Sequence, residues 1–387
     1  MSEAVLRSED RILTTHTGSL VRPAELREYE EARKEQKQFD EGIYQKLLKD
    51  LVYEAVNQQL NAGIDFVNDG EYGKSGWSAY IMERISGFEH RPEDLQPARW
   101  LGRDVDRFPD FFREEFPIAF SGLPTEACVA PISYSDHASI LRDIENLKSA
   151  AGGLDPGRFF LTTVAPASAA YSSVNEFYPS EEAYVFAIAE ALREEYLSVF
   201  HAGLLLQVDD AVLANMYDVL MEKGKKAYRK WAELRIEALN HALRDIPEDR
   251  VRYHVCFGSW HVPHVADAPL EEIVDLILRV KAQAYSIEAA NPRHEHEWRV
   301  WEQVKLPAGK ILIPGVVTHH TTTVEHPRLV ADRLIRFAHI VGRENIIAGT
   351  DCGFAQTYRL QRVHPEVMWA KLEALVEGAR LASKELW

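Results

Sequence analysis

The sequence predicts an α/β fold, a single (β/α)8 TIM barrel with an elaborated insertion after its second strand. Three observations lead there. Eight short apolar runs of strand character recur along the 387 residues, helical patterns separate most of them, and polar residues gather at the C-terminal end of run after run. Right-handed crossovers between parallel strands favour closing such a series into a barrel, whose sites lie at the C-terminal strand ends. An open doubly wound sheet would also carry polar residues there, so the pattern argues more strongly for a catalytic face than for closure.

Residues 11–19 read as a short β-branched strand ending in the turn Thr17-Gly18-Ser19, which Arg22 and Pro23 close. From residue 24 to 61 the pattern is helical and charged, with Ile43, Leu47, Leu48, Leu51 and Ala55 at three-to-four spacing, and Gly63 ends it. Residues 64–71 are a second strand that runs into the polar tip Asp69-Gly70-Glu71. Residues 72–157 are rich in aromatics, Pro and Arg and lack βα alternation. They read as an elaboration over the catalytic face, with a hairpin near residues 129–134, inside one domain spanning 1–387. Alternation resumes with a strand at 158–164 and a helix at 181–201, and further strands are predicted at 204–209, 251–257, 284–288, 311–317 and 345–350.

Composition excludes several classes. With 46% hydrophobic and 27% charged residues the chain is expected to be soluble, with a sizeable core. A formal charge of −16 repels a phosphate backbone and no basic run offers a local exception, so nucleic acid is not an expected partner. No apolar run reaches the roughly 20 residues that span a bilayer. The start of the chain has early acids and no apolar signal core, so no membrane partner and a cytoplasmic location are expected. The three cysteines, Cys128, Cys256 and Cys352, cannot make a disulfide framework; in a reducing compartment such thiols are buried, metal-bound or catalytic. Cys128 has no partner in sequence and reads as structural.

Around His254-Val255-Cys256 the contexts diverge. Side chains two apart on an extended backbone project to one face, so His254 and Cys256 can share one ion. A tetrahedral zinc needs two more ligands, and the best later candidates are Glu288, in Ser286-Ile287-Glu288, and Cys352, in Asp351-Cys352-Gly353. Each follows an apolar, strand-like run. His261 and His264, past Gly258, are possible substitutes but read as loop packing or substrate contacts. Ser19, Glu71, Asp209 and His320 also fall at or just after predicted strand ends.

Taken in order, Thr17-Gly18-Ser19, Asp69-Gly70-Glu71, Gln207-Val208-Asp209-Asp210, His254-x-Cys256, Glu288 and Asp351-Cys352-Gly353 resemble the catalytic domain of the cobalamin-independent methionine synthases and shorter relatives that include epoxyalkane:coenzyme M transferase. The resemblance implies Zn2+ held by His254, Cys256, Glu288 and Cys352, the same set the residues themselves suggest. It implies that Glu71 and Asp209 hold the amino group of a homocysteine-like thiol, that Thr17, Gly18 and Ser19 meet its carboxylate, and that His320, beside His319, donates a proton to the leaving group. The partners implied are a small-molecule thiol and an alkyl donor. Two thiolates, a carboxylate and a neutral imidazole leave zinc with a net charge of about −1, which keeps a bound sulfur electron-rich while lowering its pKa from about 8.5. The chemistry implied is zinc-dependent methyl or alkyl transfer, with a zinc-bound thiolate as nucleophile.

Departures qualify what the resemblance implies. This chain has no room for the additional N-terminal barrel of full-length methionine synthases, Ala127-Cys128 stands where those enzymes show Arg-Cys near the pterin, and residues 165–171 carry no recognisable pterin-covering aromatic. Two alternatives keep most of the motifs or the fold: an epoxyalkane:thiol transferase of coenzyme M type, or the reverse hydroxyalkyl-thioether lyase, and a metal-free lyase like uroporphyrinogen decarboxylase. A sulfonate-bearing thiol would be repelled by Glu71 and Asp209 unless a cation such as Arg22 intervened.

Overall fold

The computed structural model describes residues 7–35, 37–97, 102–171 and 173–387; residues 1–6, where the sequence shows no signal core, lie outside them. Its strands are β1 (Leu13–Thr14), β2 (Ile85–Gln96), β3 (Leu123–Tyr134), β4 (Phe160–Val164), β5 (Ser173–Asn175), β6 (Leu205–Asp209), β7 (Val251–Val255), β8 (Ala284–Glu288), β9 (Ile311–Val317) and β10 (Ile347–Thr350). Seven of them form a parallel sheet in the order β1-β10-β9-β8-β7-β6-β4. Phe66 and Val67 join its two edges through the parallel bridges Thr15–Phe66 and Val67–Phe159. Phe66 N–H donates to Thr14 O at 3.0 Å, Val67 N–H to Arg158 O at 3.1 Å, and Phe160 N–H to Val67 O at 3.1 Å. The ring of the (β/α)8 barrel is thereby complete. Its second stave is much shorter than the predicted strand, because the backbone turns back at Gly70 (φ 69°) and Glu71 (φ 61°), conformations no strand can hold.

Inside the barrel, Leu13, Phe66, Phe160, Leu205, Ala284, Ile311, Ile313 and Ile347 pack as one apolar cluster. β7 contributes Arg252 instead. Its guanidinium lies 3.9 Å from the centroid of the Phe160 ring and donates to Thr15 Oγ1 and His16 O at 3.1 and 3.2 Å. Burial pulls its pKa down to about 9. The alternation of β7 turns Tyr253 and Val255 outward into the main core, which leaves Arg252 and His254 on the inner face. The helices Glu41–Ala62, Glu181–His201, Lys225–Ala242, Leu270–Ile277, Pro327–Val341 and Pro365–Leu386 cover the outside. Among the described residues, no helix is long and apolar enough to cross a membrane.

The segment expected to be elaboration resolves into two parts. Helix His137–Ala151 packs between Glu41–Ala62 and Glu181–His201 and is a barrel helix, so the insertion is shorter than residues 72–157. Before it, β2 and β3 pair antiparallel, and β5 joins β3 in parallel to complete a separate three-stranded sheet. The hairpin expected near residues 129–134 is not there. Those residues continue β3, and the irregularity around Pro131 is absorbed by a register shift between Ser86 and Phe88 on the partner strand rather than by a reversal. The connection from β2 to β3 includes helices Arg103–Arg107 and Pro109–Glu115. Asp104 Oδ2 accepts from Val265 N–H at 2.8 Å and Arg103 Nε donates to Asp218 Oδ1 at 2.7 Å, which lays this connection on the loop after β7 and the helix Ala211–Leu220 after β6.

A buried ion network ties the insertion to the barrel. Arg84 bonds Asp143 at 2.5 Å and Glu195 at 3.2 Å, while the hydroxyls of Tyr80 and Tyr134 each donate to Glu195 at 2.7 Å. Removing the cation would strand two buried carboxylates. We expect Arg84→Met to lower the unfolding free energy by about 3–5 kcal/mol in a urea titration, with Glu195→Gln costing less because an amide oxygen at the Oε2 position still accepts from Tyr134 and Arg84.

Candidate active site

At the C-terminal ends of β7 and β10, an imidazole nitrogen of His254 and the sulfurs of Cys256 and Cys352 lie within 4.8 Å of one another, all buried. Asp209, at the end of β6, receives His254 Nδ1–H through Oδ1 at 3.0 Å. That bond fixes the tautomer and turns Nε2, which is buried without a conventional hydrogen-bond partner, toward the sulfurs. Cys352 also accepts from Ser259 Oγ–H at 3.0 Å. Donation from Cys256, aided by His254 and Ser259, holds the Cys352 thiol well below its ordinary pKa, whereas Cys256, beside that thiolate, is pushed well above. Burial works against a charged His254, but Asp209 and Cys352 outweigh it and lift its pKa to about 10. The group shares protons where a cation could sit. Nitrogen and sulfur donors in this number suit zinc.

Glu288 stands outside this group. Its Oε1 accepts from Phe257 N–H at 3.0 Å and its Oε2 from Asn291 Nδ2–H at 3.1 Å. Burial, with the Cys352 charge adding to it, raises its pKa to about 7. Asp351, which the sequence offered only as part of a motif, links two strand ends: its Oδ1 accepts from Ala289 and Ala290 N–H at 2.8 and 2.9 Å, setting Cys352 against β8. Only a glycine at 315 permits this, since a Cβ there would meet Asp351 Oδ1 at 2.4 Å.

The triad opens into a narrow cavity of about 50 Å3. Its walls include Thr17, Ser19, Glu71, Asp209, Trp77, Asn215, Trp260, Gln356 and Arg362. Glu71 Oε1 accepts from Thr162 Oγ–H at 2.8 Å, while its buried Oε2 has no partner among the described residues. Burial first, and then the like charge of Asp209, push its carboxyl upward against the pull of Lys74. Lys74 itself donates to Thr162 O and Oγ1 at 2.5 and 2.8 Å. The turn differs from expectation. Thr17 N–H donates to Thr350 Oγ1 at 3.2 Å and Gly18 N–H to His16 Nδ1 at 3.2 Å, so these amides serve the barrel, and Ser19 presents its hydroxyl near Gly353. Arg22 is no substrate cation either, because its guanidinium donates to the carbonyls of Glu71, Lys74 and Ala355.

His320 is not among the walls of this cavity. Its ring centroid lies 4.0 Å from that of His319 and 5.7 Å from those of His261 and His264. The expectation that it is poised near neutrality is not met: burial, then the charges of His264 and His261, pull its pKa down to about 3. His264 is charged instead, bonding Asp267 at 2.9 Å and the Trp260 carbonyl at 2.9 Å, so neither it nor exposed His261 replaces a member of the triad. Cys128 lies buried in β3, where its thiol donates to Ala130 O at 3.5 Å. Lys74, Asp351, Gln356 and Arg362 were missed by the sequence reading. Asp351 stands inside a quoted motif and Arg362 nine residues beyond it, and nothing in the local sequence reports what either one contacts.

A parallel barrel with thiols, imidazole and carboxylates on its C-terminal face is the architecture of an enzyme that works inside a shielded cavity. Residues 165–379, more than half of the chain, match the family model described as the catalytic domain of cobalamin-independent synthase. The chain is 25% identical over 377 residues to a methionine synthase of Saccharolobus islandicus, covering 96% of this chain and 95% of that one. It is also 25% identical over 387 residues to the methionine synthase of Saccharolobus solfataricus, at the same coverage. Its fold is like that of a B12-independent methionine synthase from Shewanella sp. W3-18-1 in complex with selenomethionine, with a TM-score of 0.74 at 20% identity over 97% of this chain and 99% of that one. The chain belongs to the cobalamin-independent synthase family and is a methyltransferase.

Behind the site, His294 stacks on Phe257 with centroids 3.6 Å apart and bonds Asp267 and Glu297 at 3.0 and 2.8 Å. Burial opposes its charge, but the two carboxylates outweigh it and lift its pKa from 6.5 to about 10. A raised histidine stabilises the fold fully below its unfolded pKa and loses that contribution as pH rises through the folded one. The melting temperature is therefore expected to fall between about pH 6.5 and about pH 10, and His294→Gln should flatten that slope in scanning calorimetry.

Proposed function

We propose that the protein is a zinc-dependent methyltransferase that methylates the sulfur of homocysteine. The observation that carries this reading is the buried convergence of His254, Cys256 and Cys352 within 4.8 Å, in a chain of the cobalamin-independent synthase family. His254, Cys256 and Cys352 would hold the ion, with Glu288 supplying a fourth ligand when no substrate sulfur does. Zinc in this thiolate-rich setting supplies a weak Lewis acid that favours the deprotonated form of a substrate thiol near neutral pH.

The chain's own residues then orient the thiol. Glu71 offers Oε2 to its ammonium group, with Oε1 steadied by Thr162 and the whole side chain set by the turn at Gly70-Glu71. Asp209 has a double duty: Oδ1 holds His254, leaving Oδ2 for the same ammonium. The Ser19 hydroxyl is the turn's contribution to the carboxylate end. His320 is the proposed proton donor to the leaving group. Because its ring is neutral at neutral pH, the arriving donor has to bring negative charge close enough to raise that pKa. The relatives named methionine synthase support methionine as the product.

Metal analysis of the purified protein should find about one zinc per chain. Cys256→Ser and Cys352→Ser should each lower zinc affinity sharply, because a normally protonated hydroxyl replaces a thiolate. A folded protein that neither holds nor takes up zinc would sink the reading. The thiol is tested separately: Glu71→Gln should keep zinc yet weaken homocysteine binding by about 10- to 150-fold in titration calorimetry, the worth of one charge-assisted contact.

A further inference from the structure

Arg362 lies in the same cavity wall, and the proposed chemistry leaves it without a role. Its Nε donates to Gln356 Oε1 at 2.8 Å, and Gln356 in turn donates to the Gly353 carbonyl at 2.6 Å, which anchors the guanidinium to the loop that carries Cys352. Its Nη2 is buried and has no partner among the described residues. The guanidinium sits 5.9 Å from the Trp260 ring centroid.

Other buried cations near the site are engaged. Lys74 is held by Thr162, and both terminal nitrogens of Arg22 and of Arg252 are bonded, the first to three carbonyls and the second to Thr15 and His16, with only the Nε of each left unpaired among the described residues. Arg362 keeps a donor in reserve. A buried guanidinium edge without an acceptor is costly, and the cost is removed when a carboxylate, sulfonate or phosphate takes the edge. The surroundings agree. Cys352 is the one negative group that acts on Arg362, whereas Asp209 adds its charge to that of Glu71. Arg362 in turn acts on His261, His319 and His320, which lie beyond the cavity wall and are neutral, so the cavity has an acidic side at Glu71 and Asp209 and, among the described residues of its walls, a single guanidinium at Arg362.

We infer that Arg362 forms an anion subsite beside the triad, which binds a carboxylate, sulfonate or phosphate carried by one of the two substrates. The subsite extends the zinc–thiol reading and rests on it for the identity of the site as a thiol-alkylating centre. The anion belongs either to the thiol or to the alkyl donor. In either case its arrival supplies the negative charge that the neutral histidines beside Arg362 lack.

Titration calorimetry on the zinc-loaded protein separates these cases. The ligands are 2-mercaptoethanesulfonate, 2-mercaptoethanol and cysteamine, which share a two-carbon thiol and differ in terminal charge, together with sodium sulfate alone. If the thiol carries the anion, Arg362→Gln should weaken the sulfonate at least about tenfold relative to mercaptoethanol and leave cysteamine unchanged, and Arg362→Lys should keep part of the difference. If the donor carries it, the thiols keep their order and sulfate binding is lost in Arg362→Gln but retained in part by Arg362→Lys. Absence of both sulfonate and sulfate binding in the wild type overturns the subsite, as does Arg362→Gln binding both anions like the wild type. Sulfate binding that depends on Arg362, in a protein to which no thiol binds, upholds the subsite and removes the zinc–thiol reading instead.

Discussion

Everything at the site depends on the closure of the ring by two residues. Phe66 and Val67 are the whole of the second stave, held by backbone hydrogen bonds to Thr14, Arg158 and Phe160. Without them β1 and β4 would be open edges, and Glu71, which follows the stave by a few residues, would have no fixed place beside Thr162. The shortness of the stave is itself functional. Because the backbone turns at Gly70 and Glu71 instead of extending, the carboxylate points into the cavity rather than along the barrel axis.

Closure creates an electrostatic problem that hydrogen bonding only partly solves. Two thiols, Glu288, Asp351, Glu71 and Asp209 are buried around one opening in a chain of net charge −16. Backbone amides carry part of the load, Phe257 for Glu288 and Ala289 with Ala290 for Asp351. Even so, Asp351 is driven well above its ordinary pKa by burial and then by Glu288. A divalent cation among His254, Cys256 and Cys352 would relieve these groups together, which is why the donor set fits zinc better than it fits a proton-sharing cluster kept for stability.

The insertion and the loops supply what the barrel cannot. Residues of the β2–β3 connection rest on the helix after β6 and the loop after β7, and the Arg84 network fixes the insertion to helices His137–Ala151 and Glu181–His201. Trp77 and Trp260 wall the cavity from outside the sheet. Shielding from water strengthens every charge interaction at the triad, so the insertion shapes the chemistry without contributing a metal donor.

The sequence by itself determined the repeating strand-and-helix rhythm, which favours a barrel without closing it, and the strand ends on which the polar residues sit. It also determined that His254 and Cys256 share a face, because side-chain alternation is a local property of extended backbone. Cys352 was legible as their partner through its place after a predicted strand. Tertiary structure alone decided the rest. That Phe257 N–H is a donor to Glu288, that Asp209 orients His254, that Thr17 spends its amide on Thr350, and that Arg22 is capped by carbonyls while Arg362 keeps Nη2 free among the described residues, all depend on groups far apart in sequence. The limits of the insertion were hidden for the same reason. Helix His137–Ala151 becomes a barrel helix only through the two helices it packs against, and residues 129–134 stay in one strand because β2 pairs with Cys128 before them and with Ser133 and Tyr134 at their end. Local pattern fixes which way a side chain can point, and the closed ring fixes what it finds there.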